Sequence, residues 1–512
     1  MANVTLFYAQ SAQNLCVRET DLLSDILSGA LPAQHAPAMP CGGKGRCGKC
    51  RVKATGALSP VTAEERAALS AAELADGVRL ACCTRVLGDS AVTLLFSDAL
   101  TQIRADSDKN LLPQDPLFHA YGAAVDIGTT TLAAQLYGTD GLLCTATAAN
   151  PQSAYGADVI SRVGLALTGK AAALADCVQS AVSALLCRLA QSAAIAPQQI
   201  DAVVITGNTA MLYLLTQRNP DCLAHAPFTA DTLFGCTAAA STLHLPCAAN
   251  AHIYLPRCMS AFVGADITMA LLASRLCTKP QTALLADIGT NGEMALWHGG
   301  TLLCCSTAAG PAFEGAGLSM GVQGVAGAID FVAFDGTLPL AIRTIENAPP
   351  CGICGSGIIA ALAAMKQAEI LDETGYLQND ADAFALTEHI SVTQRDIRMV
   401  QLAKSAVCAG LRTLLDLAGV PFAEVTRLAI AGGFGSYLDL PSAAAIGLFP
   451  AALEAKAQVL GNAALTGAAM LLLDRDLVQK SFDLAAAAQT ADLGTSPVFM
   501  EHYMDCMSFQ LF

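Results

Sequence analysis

Two stretches of this 512-residue chain repeat one another. Residues 123–137 read AAVDIGTTTLAAQLY, and residues 283–297 read ALLADIGTNGEMALW. Each is an apolar run, then Asp-Ile-Gly-Thr, two more residues and a second apolar run. Short apolar runs bounded by turn residues read as buried strands, and two of them about a tight polar turn read as a hairpin. A hairpin duplicated within one chain implies two lobes of like topology facing a cleft. From Tyr121 onward, apolar runs ending in glycine or hydroxyl clusters alternate with helical patterns, so this part is α/β.

The turns themselves carry chemistry. A glycine in such a turn leaves its neighbouring N–H groups unobstructed, and threonine adds hydroxyl donors, so the turn can grip phosphate oxygens without a lysine. That selects Gly128, Thr129, Thr130 and Thr131 in the first hairpin, and Gly289, Thr290, Asn291 and Gly292 in the second. Asp126 and Asp287 lie at strand ends, where a carboxylate can hold Mg²⁺ or orient a water, and are the candidate catalytic residues. A third run, LAIAGGFGSYLD (428–439), leaves a flat backbone at Gly432, Gly433 and Gly435 that would accept an adenosine. There is no G-x-x-x-x-G-K-[ST] sequence, which excludes a P-loop.

The N-terminal part is different. Cys41, Cys47 and Cys50 lie in CGGKGRCGKC, and Cys82 follows in RLAC. This is C-x5-C-x2-C with a distant fourth cysteine, one residue longer in its first gap than the plant-type iron–sulfur pattern. Glycines at 42, 43, 45 and 48 allow the loop to wrap a cluster and aim N–H groups at sulfur. No histidine is near, as a zinc site would favour. Cys83 stands beside the fourth ligand. Around the loop, NVTLFYAQ and NLCVRET read as a hairpin, and residues 21–31 as a helix capped by Thr20. CRVKATG reads as a strand, TAEERAALSAAELADG as one acidic helix, and residues 91–96 as a closing strand.

Composition narrows the class. Of the net charge of −15, residues 1–95 contribute +1 and the remainder −16, which disfavours nucleic acid. Lys44, Arg46, Lys49, Arg51 and Lys53 crowd the cysteine loop; they suit an acidic partner, balance of an anionic cluster, or an ordinary solvated face. Charged residues interrupt every long apolar stretch, so no membrane span is expected. The N-terminus lacks a basic, then apolar, leader. A cytoplasmic protein is expected, its 20 cysteines mostly small buried hydrophobes. Residues 97–119 are polar, with two prolines, and read as a linker that would span about 75 Å if stretched.

The order of the pieces matters. A phosphate hairpin at Asp126, a strand-to-helix element (203–215), a second hairpin at Asp287, the glycines at 432–435 and a helix (461–473) resemble the acetate and sugar kinase, Hsp70 and actin (ASKHA) superfamily. Residues 1–96 resemble β-grasp [2Fe–2S] ferredoxins. The phrases NPQSAYGADVISR (150–162), CSTAAGPAFEGAGLSMG (305–321), CGICGSGIIAAL (351–362) and IAGGFGSYLDLPSAAAIGLFP (430–450) resemble ATP-dependent reductive activators of corrinoid proteins. That resemblance covers nearly the whole chain. It implies a ferredoxin domain (1–96), a linker (97–119) and an ASKHA domain (120–512) with lobes near 120–280 and 281–512. The first hairpin follows the linker so closely that no further middle domain is expected. The implied cofactors are a [2Fe–2S] cluster on Cys41, Cys47, Cys50 and Cys82, and ATP with Mg²⁺. The implied partners are a corrinoid protein of a methyltransferase system and an upstream electron donor, with a homodimer left open. The implied activity is one-electron reduction of Co(II) to Co(I). A redox-sensing regulator and a radical-dehydratase activator are the alternatives.

Other matches carry less. Gly355-Ser-Gly357-Ile-Ile-Ala360 fits G-x-G-x-x-A but reads as a close-packed helix start, and Cys351 and Cys354 read as structural thiols. Glu314 in GPAFEGAG either contacts nucleotide or partner, or is a surface or capping glutamate; the residues leave both open. Limited proteolysis is expected to cut first within 97–119 and release a red fragment of about 95 residues, leaving a remainder that binds nucleotide. Resistance of this segment on a gel time course would show that it is docked.

Overall fold

Alternation places Ala2, Val4 and Leu6 of strand β1 (Ala2–Tyr8) on one face, all buried. Strands β2 (Ser11–Val17), β3 (Arg51–Leu58), β4 (Val78–Leu80) and β5 (Val86–Leu94) complete a five-stranded sheet of order β2-β1-β5-β3-β4. The central β1–β5 pair is parallel and the others are antiparallel. Leu23 and Leu27 of the helix Leu23–Ala30 fill the concave face, a β-grasp arrangement. The computed structural model describes all residues except 9–10, 32–36, 38, 40–42, 44, 46–47, 49, 95–110, 157, 379–381, 434–437 and 511–512.

Three local expectations differ here. Thr20 does not cap the first helix: it has φ of 79°, and the helix starts after Leu22, which bridges to Arg85. The acidic helix is two short helices, Ala63–Ala68 and Ala71–Ala75. Ser70 breaks it, because its hydroxyl accepts from the Glu73 N–H while the Glu73 carboxylate accepts from Ser70, a cap formed where a helix would continue. The closing strand begins earlier than expected, at Val86.

The larger part contains two six-stranded sheets. The first has the order β10-β11-β9-β6-β7-β8, built from β6 (Tyr121–Ile127), β7 (Thr131–Gly138), β8 (Gly141–Ala149), β9 (Ile200–Gly207), β10 (Cys236–Ala238) and β11 (His252–Leu255). In the second, β12 (Ala283–Ile288), β13 (Gly292–His298) and β14 (Thr301–Thr307) repeat the β6–β7–β8 meander. The parallel strands Arg427–Ala431 and Ala457–Gly461 lie on the other side of β12, as β9 and β11 lie beside β6. The duplicated hairpins are therefore the equivalent central elements of two like lobes.

The expected boundary near 280 separates the sheets but not the helices. The helix Ala463–Leu473 packs Leu465, Ala468 and Leu472 beside Ala124 and Val204 of the first lobe. The helix Ala265–Ser274 packs Ile267 and Leu271 beside Leu285 and Ala429 of the second. These two helices touch at Gly467, where an added Cβ would lie 1.9 Å from the Met269 carbonyl oxygen. Another close approach explains Gly355-Ser-Gly357: Cβ atoms at Gly355 and Gly357 would lie 1.7 and 2.0 Å from the carbonyl oxygens of Phe313 and Ile329. The match to G-x-G-x-x-A is thus helix–strand packing at the start of the helix Gly355–Gln367.

Part of the expected linker is docked. Residues 95–110 lie outside the described residues, but Leu117 and Phe118 are buried beside Leu472. The Gln114 and Leu117 N–H groups donate to the carbonyls of Leu473 and Leu472. Residues 111–119 belong to the second part, since Phe118 also fills the space left by Gly122. One segment, 159–192, is long and apolar enough to cross a bilayer by composition. Its helix breaks at Gly169, with φ of 90°, and Leu185, Leu186 and Leu189 are buried in the first-lobe core.

Gly467→Ala should cost about 1–3 kcal/mol, because a backbone carbonyl cannot move aside as a side chain can. Thermal unfolding of the full chain should register this, and an unchanged midpoint would show that the two helix backbones do not depend on this close approach.

Candidate functional site

The carboxyl ends of β6, β9, β12 and Arg427–Ala431 open into one cleft of about 700 Å³. Asp126 and Asp287 end their central strands and both line it, with Gly128, Thr129, Thr130, Thr131, Gly289, Thr290, Asn291, Gly432 and Gly433. Gly292 does not line the cleft: it packs against Thr307 and Val407 inside the sheet. Gly435 lies outside the described residues.

The hairpins are shaped for anions. The Gly128 N–H donates to the Thr131 carbonyl at 2.9 Å, and the Gly289 N–H to the Asn291 carbonyl at 2.9 Å. Asn150 braces the first turn by donating to the Gly128 carbonyl at 2.8 Å. Arg162, fully buried, donates to the Thr129 carbonyl at 2.6 Å and the Gly156 carbonyl at 2.9 Å. Burial lowers its pKa to about 10, which leaves it a cation beneath the turn. Gly432 has φ of 113° and stands so near the Ile288 carbonyl that only glycine fits, while Gly433 faces open space. With the Gly128 and Gly289 N–H groups engaged within their own turns, the hydroxyl groups of Thr129, Thr130 and Thr290 are donors that could hold phosphate oxygens, and the open face at Gly433 could take a flat base.

The acids at the cleft floor are crowded. They open to the cleft but are otherwise enclosed by protein. Burial pushes Asp126 up to about 6, against a hydrogen bond from Asn462 at 2.9 Å. Burial, then the charges of Asp126 and Glu314, push Asp287 up to about 7. Burial, then Asp287 and Asp126, push Asp266 up to about 8. Burial and the charges of Asp266 and Asp287 also raise Glu293, which accepts from Asn208 at 3.3 Å. A divalent cation relieves such crowding, so the set suits Mg²⁺ held by carboxylates and phosphate together.

Sequence reading missed Asp266, Asn462, Asn208 and Glu293. Asp266 and Asn462 start or cap the two connecting helices, and Asn208 caps the helix Thr209–Leu215. A polar residue at a helix start reads as an ordinary cap. Asn208 and Asn462 directly follow strands that end in glycine, which was the available signal for those two; Asp266, well beyond β11, and Glu293, the second residue of β13, offered none.

In the N-terminal part, Cys41 and Cys47 lie outside the described residues. Cys50 and Cys82 are buried with their Sγ atoms 3.3 Å apart. Two thiolates sharing a tetrahedral metal at about 2.3 Å lie about 3.8 Å apart, so this pair fits a common centre. The Gly45 N–H points at the Cys82 sulfur. Gly43, Gly45 and Gly48 all have positive φ, from 62° to 76°. Cys83 is paired with the Thr62 hydroxyl, and burial pushes its thiol up to about 12. The segment carrying Cys82 is braced by Glu65, which accepts from Arg79, the Leu80 N–H and the Thr84 hydroxyl. Burial alone would raise the Glu65 pKa; these bonds more than offset it and hold it low. Of the basic residues around the loop, Arg51 pairs with Glu73 at 2.9 Å and Lys53 with Asp76 at 2.7 Å, both at the surface.

A family model described as the C-terminal domain of RACo, the ASKHA domain, matches residues 281–511, and one described as the RACo middle region matches residues 121–279. The corrinoid activation enzyme RamQ of Eubacterium limosum is 32% identical over 414 residues, covering 75% of this chain and 69% of that protein. This chain belongs to the family of corrinoid-protein reductive activators. A solved reductive activator for corrinoid, iron–sulfur protein superposes with a TM-score of 0.72 at 27% identity, over 99% of this chain and 98% of that one. A Methanosarcina barkeri reductase of the Co(II) methylated amine-specific corrinoid protein is 28% identical over 284 residues, covering 51% of this chain and 52% of that protein. The matches correct one expectation. No middle domain is lacking, because the region bearing that description is the first lobe itself.

The raised acids make this activator's stability depend on pH. A carboxyl whose folded pKa is raised contributes stability that is full below its unfolded value, near 4, and lost as pH rises through its folded value. Asp266→Asn should therefore raise the ligand-free melting temperature by roughly 2–4 °C at pH 8.5. The difference should vanish at pH 5, where the native acid is already protonated. A pH-independent difference would show that Asp266 does not titrate in this range.

Proposed function

We propose that this chain is the ATP-dependent activator of a corrinoid methyl-transfer protein, passing one electron from a [2Fe–2S] cluster on Cys41, Cys47, Cys50 and Cys82 to Co(II) to restore Co(I). The observation that carries the reading is the joining of two sites in one member of this family. One is a four-cysteine loop in which Cys50 and Cys82 meet at 3.3 Å, and the other is a two-lobed cleft lined by phosphate-gripping turns. When bound, the cluster supplies a one-electron donor. The chain's own residues bury the sulfurs of Cys50 and Cys82 and direct the Gly45 N–H at that of Cys82, which favours the anionic form. In the cleft, Thr130 and Thr290 offer donors to phosphate from opposite lobes, while Asp126 and Asp287 face the place for Mg²⁺. A nucleotide that touches both hairpins sets the distance between lobes, so its arrival or hydrolysis shifts the population of closed molecules. That shift is what couples ATP to an otherwise unfavourable transfer. A cytoplasmic location and an upstream reductant complete the proposal.

The test is to mix the reduced protein with a Co(II) corrinoid protein, with and without ATP and Mg²⁺, and follow the Co(I) spectrum. Co(I) should accumulate much faster with ATP, and Asp287→Ala should lose that stimulation while keeping the cluster spectrum. Cys82→Ser should lose or distort the one-electron reduced signal, and Cys83→Ser should keep it. Equal Co(I) yields with and without nucleotide would overturn the coupling, and the reverse cysteine result would overturn the ligand choice.

A further inference from the structure

Glu314 lies on the short turn Pro311–Glu314 and reaches both hairpins at once. Its carboxylate accepts from the Thr130 hydroxyl of the first lobe. It also accepts from the Thr290 N–H at 3.0 Å and the Thr290 hydroxyl at 3.0 Å in the second. The turn is flanked by Gly310 and Gly315, with φ of 81° and 73°, and a Cβ at Gly310 would meet nothing within 4 Å. The Gly310 N–H donates to the Thr290 carbonyl at 2.8 Å and Gly315 rests against the Val322 carbonyl, so the turn is tied to the second hairpin and the Glu314 side chain is the part that can swing. No lysine or arginine bonds to it among the described residues, and Arg162, the charge that attracts it, is engaged beneath Thr129.

A carboxylate held only by the hydroxyl and N–H groups of two anion-gripping turns stands where an anionic ligand oxygen would stand. Carboxylate and phosphate oxygens make the same demand on these donors, so they compete. We propose that Glu314 is an internal occupant of the seat for the terminal phosphate, a latch that ties the lobes until a nucleoside triphosphate displaces it. This rests on the nucleotide reading of the cleft and deepens it. A diphosphate, one phosphate shorter, leaves the seat where the two hairpins meet to Glu314. The latch therefore distinguishes the two nucleotides by what they release, and the third phosphate becomes the signal for the lobes to move.

The proposal is tested by calorimetric titration of the full chain with Mg-ATP and Mg-ADP, in wild type and in Glu314→Gln. Removing the competing charge should tighten ATP binding by about tenfold and leave ADP binding unchanged. In the wild type, hydrogen exchange at residues 309–316 should increase with ATP and not with ADP, a readout that needs no variant. Weaker ATP binding by Glu314→Gln, with normal wild-type binding, would overturn the latch alone and make Glu314 a direct ligand to nucleotide or cation. Equal tightening for both nucleotides, or ATP protection of 309–316, would also overturn it. No binding of either nucleotide to wild type would overturn the nucleotide reading and the latch with it.

Discussion

The contact between the helices Ala265–Ser274 and Ala463–Leu473 sets the geometry on which the cleft depends. Gly467 lets one helix backbone rest against the Met269 carbonyl of the other. Each helix also lies beside the sheet of the opposite lobe, so the lobes cannot come apart at this contact without exposing a buried interface. This brings the carboxyl ends of two equivalent central strands to the same place. Asp126 and Asp287 then meet at the cleft floor as a consequence of symmetry, and Asp266 and Asn462, at the starts of the two helices, arrive with them.

Symmetry has an electrostatic cost. Like charges enclosed together raise one another's pKa, and the floor holds Asp126, Asp266, Asp287 and Glu293 with no cation bonded to them among the described residues. The donors above that floor are neutral hydroxyl and N–H groups. An anionic polyphosphate is repelled by carboxylates beneath it, and a divalent cation between the two would relieve that repulsion. Glu314 fits the same logic, because an anion-gripping pair of turns will take the nearest anion available.

The N-terminal part solves a different problem, that of holding a cysteine loop with few regular elements. Glu65, fully buried, binds Arg79, Leu80, Thr84 and its own cap Thr62, and so fixes the segment that presents Cys82. Losing one partner would leave a buried charge uncompensated, which is why the network is closed on every side.

Much was legible in the residues alone. The two Asp-Ile-Gly-Thr turns predicted two like lobes, since a tight turn between buried strands is specified by local chemistry: glycine where donors must be bare, apolar residues where strands are covered. The packing roles of Gly355 and Gly357 were also readable, because their surroundings lacked a dinucleotide pattern. Asp266, Asn208 and Asn462 were not legible as site residues, since a helix cap and a ligand group look alike until the strand ends converge. Gly292 was misjudged for a related reason: a turn glycine and a sheet-packing glycine have the same local sequence. Residues 111–119 looked like linker because polar, proline-containing chain is read by composition, while their docking is decided by Leu117, Phe118 and the space left by Gly122. Glu314 remained undecided between surface and site. Its partners Thr130 and Thr290 are 184 and 24 residues away in sequence, and only the facing of two folded lobes brings both to one carboxylate.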